Sequence, residues 1–140
     1  TVPEYLKDKV YIATTDMKNN YWYIGGEWKN GFLHTKTREF GNFCIIADTI
    51  SPEIRGVNIF SGKKLKTQST IKLTITDKES GIKSFRGEID DKWILLDYDH
   101  KKNLVRFNID NNINKGEHTF TLKVIDNVGN TTNYKAMFTY

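Results

Sequence analysis

The sequence predicts an all-β protein: an immunoglobulin-like antiparallel β-sandwich over residues 49–140, preceded by a short N-terminal β segment over residues 1–48. Three observations carry this. Alanine occurs only at Ala13, Ala47 and Ala136, and the apolar residues are mainly β-branched and aromatic, a composition suited to strands. Apolar residues recur with a period of two, the signature of half-buried strands. Clusters of Asn, Asp, Gly and Ser interrupt these runs at short intervals, as turns do in a sandwich.

In the N-terminal part, Val10–Thr14, Tyr21–Ile24, Phe32–Thr37 and Asn42–Ala47 are candidate strands. Asn19-Asn20, Gly25-Gly26 and Asn30-Gly31 punctuate them, and Asn-Gly between apolar runs is a strong hairpin signal. These strands form a small sheet or belong to a preceding β domain. The stretch Asp48–Pro52 reads as a junction, because Pro52 holds Ser51 extended and cannot donate to a ladder.

Beyond it, the sequence predicts seven strands: Ile54–Phe60, Ile71–Thr76, Ile82–Ile89, Lys92–Tyr98, Val105–Ile109, Phe120–Val124 and Tyr134–Tyr140. In Ile71–Thr76 three aliphatics face one way while Lys and Thr face the other. Ser61-Gly62, Ser80-Gly81, Asp90-Asp91, Asn111-Asn112 and Gly129-Asn130 supply the turn chemistry. The absence of helical connections argues against a parallel α/β sheet.

The chain's 140 residues include 21 basic and 17 acidic ones, a net charge of +4. The charges are interleaved, so no basic stripe of the kind that binds nucleic acid stands out. The densest group, Lys63, Lys64 and Lys66, is expected on a solvated hairpin loop. No apolar run is long enough to span a membrane as a helix, and no signal peptide is visible. Residue 1 is Thr, which suggests a processed chain or an excised piece. The single Cys44 excludes an intramolecular disulfide scaffold and is expected as a buried thiol in an apolar strand.

No catalytic or cofactor-binding residue is assigned, and no metal ligand. His34, His100 and His118 lack the short spacings of a zinc site. Asp110, Asn112 and Asn114 start a calcium-loop template, but Lys115 and Thr121 stand where it needs Gly and Glu. Two other segments resemble each other, Asp77–Gly81 and Asp126–Asn130, and both are expected to be strand-terminating turns in which Asp accepts backbone N–H bonds. A calcium site built from Asp77, Glu79 and Asp126 is the minor alternative. Asp90-Asp91 is the most visible carboxylate pair for hydrolysis. Asn130-Thr131-Thr132 fits an N-glycosylation acceptor. Trp22, Trp28 and Trp93 are the candidate ligand contacts, because aromatic faces stack on sugars; filling the core is their competing role.

Phe40-Gly41-Asn42-Phe43, Asp48-Thr49 with Pro52, Asp77-x-x-Ser80-Gly81-Ile82, Trp93, Gly116-x-His118 and Asp126-Asn127-Val128-Gly129-Asn130 together resemble a C-terminal region of Gram-negative envelope peptidases. These are zinc metallopeptidases of the lysostaphin/LytM type, which cleave peptidoglycan cross-links; in them an immunoglobulin-like sandwich follows the catalytic domain. The resemblance is clearest over residues 40–140. It carries no catalytic residue here, since His-x-x-x-Asp and His-x-His are both missing. Asp48-Thr49-Ile50 also resembles a periplasmic O-glycosylation acceptor.

The resemblance implies a non-catalytic accessory or spacer module in the periplasm or cell envelope. Its partners would be the catalytic domain of the parent chain or another envelope protein, with cell-wall glycan as a further one. No cofactor, nucleic acid or membrane span is expected. The alternatives are a carbohydrate-binding or adhesion module using exposed aromatics, and a small hydrolase whose carboxylates converge in space.

Overall fold

The computed structural model describes residues 2–66, 69–109 and 113–140. A 3₁₀ helix, Glu4–Lys9, leads into β1 (Val10–Thr15). Then follow β2 (Tyr21–Gly25), β3 (Glu27–Lys29), β4 (Phe32–His34) and β5 (Asn42–Ala47). β1 lies between β2 and β5 in an antiparallel three-stranded sheet, and β3 and β4 form a separate hairpin. The Asn30-Gly31 signal is the hairpin turn, with both residues at positive φ (50° and 81°). The structure adds the helix and β3 to what the sequence predicts, and it shortens Phe32–Thr37 to Phe32–His34.

Directly opposed residues in a sheet share a face. Tyr11 and Ala13 point inward and are fully buried; Tyr23 shares their face but is exposed. The other face carries Ile12, Thr14, Trp22, Phe43 and Ile45, paired as Thr14 with Trp22 and Phe43, and Ile12 with Ile45. Trp22, Phe43 and Ile45 are exposed there. Cys44, expected to be buried, is only partly so, because β5 is an outer strand of this small sheet.

The rest is a sandwich. Its strands are β6 (Glu53–Gly56), β7 (Lys63–Lys64), β8 (Thr70–Thr76), β9 (Ile82–Ile89), β10 (Lys92–Ile94), β11 (Asp97–Asp99), β12 (Leu104–Asn108), β13 (Glu117–Asp126) and β14 (Thr131–Thr139). One sheet has the order β11-β12-β8-β6, the other β10-β9-β13-β14-β7. In immunoglobulin terms these are the D-E-B-A layer and the C′-C-F-G layer, with the first strand continuing as a short piece beside the last. Between them lies the core: Ile71, Leu73 and Ile75 of β8, Val105 of β12, Phe120, Leu122 and Val124 of β13, and Ala136 and Phe138 of β14.

Nine strands are described after residue 52 where seven were expected, because two predicted strands divide. Ile54–Phe60 ends at Gly56. A Cβ there would stand 2.2 Å from the Ile59 carbonyl oxygen and 2.6 Å from the Tyr134 hydroxyl, so only glycine allows the chain to bend away. Asn58 fixes the bend by donating to Thr70 O (2.6 Å) and accepting from Lys72 N (2.8 Å). Ile59 is then buried, and the chain crosses to the other sheet as β7, parallel to β14. Lys63 and Lys64 are therefore a strand, not the tip of a hairpin loop.

Lys92–Tyr98 divides in the same way. β10 pairs with β9, and β11 pairs with β12 in the opposite layer. The crossing residue Leu96 is buried and packs on Gly87, where a Cβ would be 2.7 Å from Leu96 Cδ1. The Asn111-Asn112 turn and the Asp110-x-Asn112 template lie outside the described residues.

Candidate functional site

Three carboxylates separated widely in sequence meet where the N-terminal sheet joins the sandwich. Asp48 ends β5's extension, Asp77 follows β8, and Asp126 ends β13. One oxygen from each lies within 4.8 Å of the others. Among the described residues, no other set of three metal-ligating side chains converges in this way. Asp48 and Asp126 are fully buried and Asp77 is half-buried.

The Asp77 and Asp126 turns form as expected. Asp77 Oδ2 accepts from Gly81 N (2.6 Å), and Asp126 Oδ1 accepts from Val128 N (2.9 Å) and Asn130 N (2.8 Å). Gly81 and Gly129 take φ of 83° and 84°. Asp48 joins them by tertiary folding. Its Oδ1 accepts from Ile50 N (2.9 Å) and its Oδ2 from Ser80 N (3.0 Å), at the head of the Asp77 turn. Glu79, the third ligand in the sequence-based alternative, is exposed; Asp48 takes its place in the cluster.

Asn130 ties the group together. Its Nδ2 donates to Asp126 Oδ2 (2.7 Å) and to the carbonyls of Asp48 (3.1 Å) and Ile50 (3.3 Å). This buried amide leaves no free acceptor for an N-linked glycan, so the sequon is a structural motif. Nearby, Thr132 Oγ1 donates to Pro52 O (2.5 Å), and Asp48 N to Lys9 O (2.8 Å).

The charge of this cluster is not neutralised by a side chain. Among the described residues, no Lys, Arg or His ion pair engages Asp48, Asp77 or Asp126. Two carboxylates about 5 Å apart repel by roughly 3 kcal/mol at an effective dielectric of about 20. Burial raises the Asp77 pKa above its ordinary value; the Gly81 N–H opposes this, and the charges of Asp48 and Asp126 add to it. Two hydroxyls complete the inventory. Tyr11 Oη and Ser80 Oγ are buried without a hydrogen-bond partner. The Tyr11 phenol is pushed up to about 12, by burial first and then by the carboxylates of Glu79, Asp48 and Asp77.

The three tryptophans stand on three different sheets. Trp22 is on β2 and Trp93 on the edge strand β10, 52% and 57% exposed. Both therefore lie outside the core. Trp28, on β3, is partly buried, and its indole donates to Lys7 O (2.8 Å). Trp93 lines a shallow groove of about 350 Å³ with Asp90, Asn114 and His118. His118 bonds Asp90 Oδ2 (2.6 Å) and Asn114 O (2.7 Å), and Thr119 N donates to Asp90 Oδ1 (2.8 Å). Asp90 is thus engaged structurally. His34 and His100 sit elsewhere, on β4 and in the turn after β11.

Sequence reasoning missed Asp48 and Tyr11. Asp48 had one visible signal, a lone acid closing an apolar strand at the junction; Tyr11 had none.

A Zu5-like domain model matches residues 1–48, about a third of the chain. No curated protein matches the sequence. Among solved structures, an endo-β-1,4-mannanase from Thermotoga petrophila superposes with a TM-score of 0.55 at 15% identity. The superposition covers 66% of this chain and 20% of the mannanase, so the chain spans about a fifth of that enzyme. The fibronectin(III)-like modules of Clostridium thermocellum CbhA give 0.49 at 13% identity, covering 99% of this chain and 81% of theirs. CopC from Methylosinus trichosporium gives 0.47 at 13% identity, covering 62% and 92%. The chain is an all-β protein with an immunoglobulin-like sandwich, which the strand order and the mannanase superposition both support.

Proposed function

We propose that this chain is a non-catalytic accessory module of a cell-envelope peptidoglycan peptidase, docking on and positioning the catalytic domain of its parent chain. The observation that carries the reading is the outward face of the three-stranded sheet. Ile12, Trp22, Phe43 and Ile45 lie together on it, and the last three are exposed. Contiguous exposed apolar residues mark interaction surfaces in soluble proteins. The lysostaphin/LytM resemblance supplies the identity of the partner, a zinc peptidase domain.

Two measurements test this. The parent coding sequence is expected to carry His-x-His and His-x-x-x-Asp outside these residues. The peptidase domain, added in trans, is expected to bind this chain in calorimetry and to lose at least tenfold in affinity to the variant Trp22→Ser/Phe43→Ser/Ile45→Thr. A parent without the zinc motifs, or binding indifferent to the triple variant, overturns the reading.

A second reading, contact with wall glycan, rests on the exposed Trp93 ring beside Asp90, Asn114 and His118. An exposed aromatic with polar neighbours suits sugar stacking. Peptidoglycan oligosaccharide titrated against the chain would shift the Trp93 indole resonance if this groove is used, and would leave Trp93→Ala without response.

A further inference from the structure

We propose that Asp48, Asp77 and Asp126 bind a divalent cation, calcium in preference to magnesium, with the hydroxyls of Tyr11 and Ser80 facing the same ion. The inference is independent of the peptidase reading. It assigns a metal site to the joint between the N-terminal sheet and the sandwich.

The geometry suits a hard cation. Calcium takes six to eight oxygen ligands at about 2.3–2.6 Å, so two ligands of one ion are at most roughly 5 Å apart. The three carboxylate oxygens fall within 4.8 Å of one another. Each carboxylate oxygen has two lone pairs, so accepting one N–H bond leaves a second for a metal. Val128 N and Asn130 N fill Asp126 Oδ1, whereas Asp48 Oδ2, Asp77 Oδ2 and Asp126 Oδ2 each accept one N–H bond and keep a lone pair for the metal.

Two further features of the site point to a ligand. Tyr11 Oη and Ser80 Oγ are the buried side-chain polar atoms without a partner among the described residues, and both residues are 1% exposed. Ser80 is anchored to Asp48 through its own N–H, and Tyr11 lines a cleft with Asn127 and Val128 of the Asp126 turn. Buried hydroxyls are rarely left unpaired, and here both belong to residues at one uncompensated acidic cluster. An irregular set of oxygens from four segments favours calcium, whose coordination is flexible, over magnesium, which demands a near-ideal octahedron. The consequence is mechanical. Tyr11 lies on the central strand of the N-terminal sheet and Asp48 follows its last strand, while Asp77, Ser80 and Asp126 belong to sandwich turns, so the ion fastens one to the other.

The test is calcium titration of the full chain after chelation, read by calorimetry and by thermal unfolding. Binding with a dissociation constant on the order of 10⁻⁴–10⁻³ M is expected, as in extracellular calcium modules. The unfolding temperature should rise by several degrees at saturating calcium and by less at equal magnesium. Tyr11→Phe keeps the ring and removes only the hydroxyl; it is expected to fold and to weaken calcium binding severalfold. Asp77→Asn, chosen because Asp77 is the least buried of the three, should abolish the calcium response. Absence of both heat and thermal shift in the unaltered chain up to 10 mM calcium (roughly tenfold above the weaker constant) overturns the proposal. So does a calcium response that survives in Asp77→Asn.

Discussion

Asn130 reaches back across 82 positions to Asp48, donating its side-chain N–H to the Asp48 carbonyl oxygen at 3.1 Å. The same amide holds Asp126 Oδ2 at 2.7 Å, so one side chain joins the last hairpin to the start of the sandwich.

Replacing Asn130 with Ala leaves buried acceptors on Asp48 and Asp126, and a part-buried one on Ile50, without their donor. Each unsatisfied buried group costs about 1–3 kcal/mol, so a total loss of about 3 kcal/mol is expected. Urea unfolding measures it. Amide exchange at Asp48, whose N–H is bonded to Lys9 O, should accelerate beyond what the global loss predicts.

His118 has acceptors on both ring nitrogens, the Asp90 carboxylate and the Asn114 carbonyl. Only the imidazolium donates from both, so the Asp90 bond holds the His118 pKa above 6.5 and the Asn114 bond adds to this. In return the His118 bond holds the Asp90 pKa below 3.8. A raised histidine adds stability that is full below its unfolded pKa and is lost as pH rises through the folded one. A lowered aspartate adds stability that is lost as pH falls through its folded value. The pair thus contributes most between about pH 4 and 6.5. His118→Gln should remove this hump from the stability–pH curve, and a curve unchanged by the substitution would refute the assignment.

Gly87 and Leu96 form a lock between the sheets. Gly87→Ala drives a methyl against Leu96 Cδ1 and should cost about 1–3 kcal/mol, the usual range for overpacking. Leu96→Val in the same chain should recover part of that loss. The coupling, read from a double-mutant cycle, is expected to be about 1 kcal/mol.

Trp22, Phe43 and Ile45 make few demands on the fold. Polar substitution at any one should change stability by no more than about 0.5 kcal/mol. The triple variant should also bind less of a hydrophobic fluorescent dye than the unaltered chain, since it removes the outward apolar face. Equal dye fluorescence would place the accessible apolar surface elsewhere.

The alternation of Ile71, Leu73 and Ile75, and of Phe120, Leu122 and Val124, was readable because each set faces one core and its polar neighbours face away. The breaks at Gly56 and Leu95-Leu96 were not. Both depend on what stands opposite, Ile59 and Tyr134 in one case and Gly87 in the other, and that is knowledge of the tertiary fold. The two Asp turns were visible from their spacing. Their convergence on Asp48 was hidden, because contacts between residues 32 and 82 positions apart leave no local pattern. Trp93 reads two ways in the sequence, as a ligand contact or as core; its place on a three-residue edge strand, which leaves it in solvent, depends on the fold.

The borders of the sandwich are short: three residues in β10, two in β7, three in β11 and four in β6. Unpaired backbone at a sheet border is a template for joining another copy, and brevity and lysines both discourage it. Lys63, Lys64 and Lys92 stand on two of these borders. The sandwich therefore offers a second copy too little open strand to extend it sideways, which keeps neighbouring copies from zipping together through these borders.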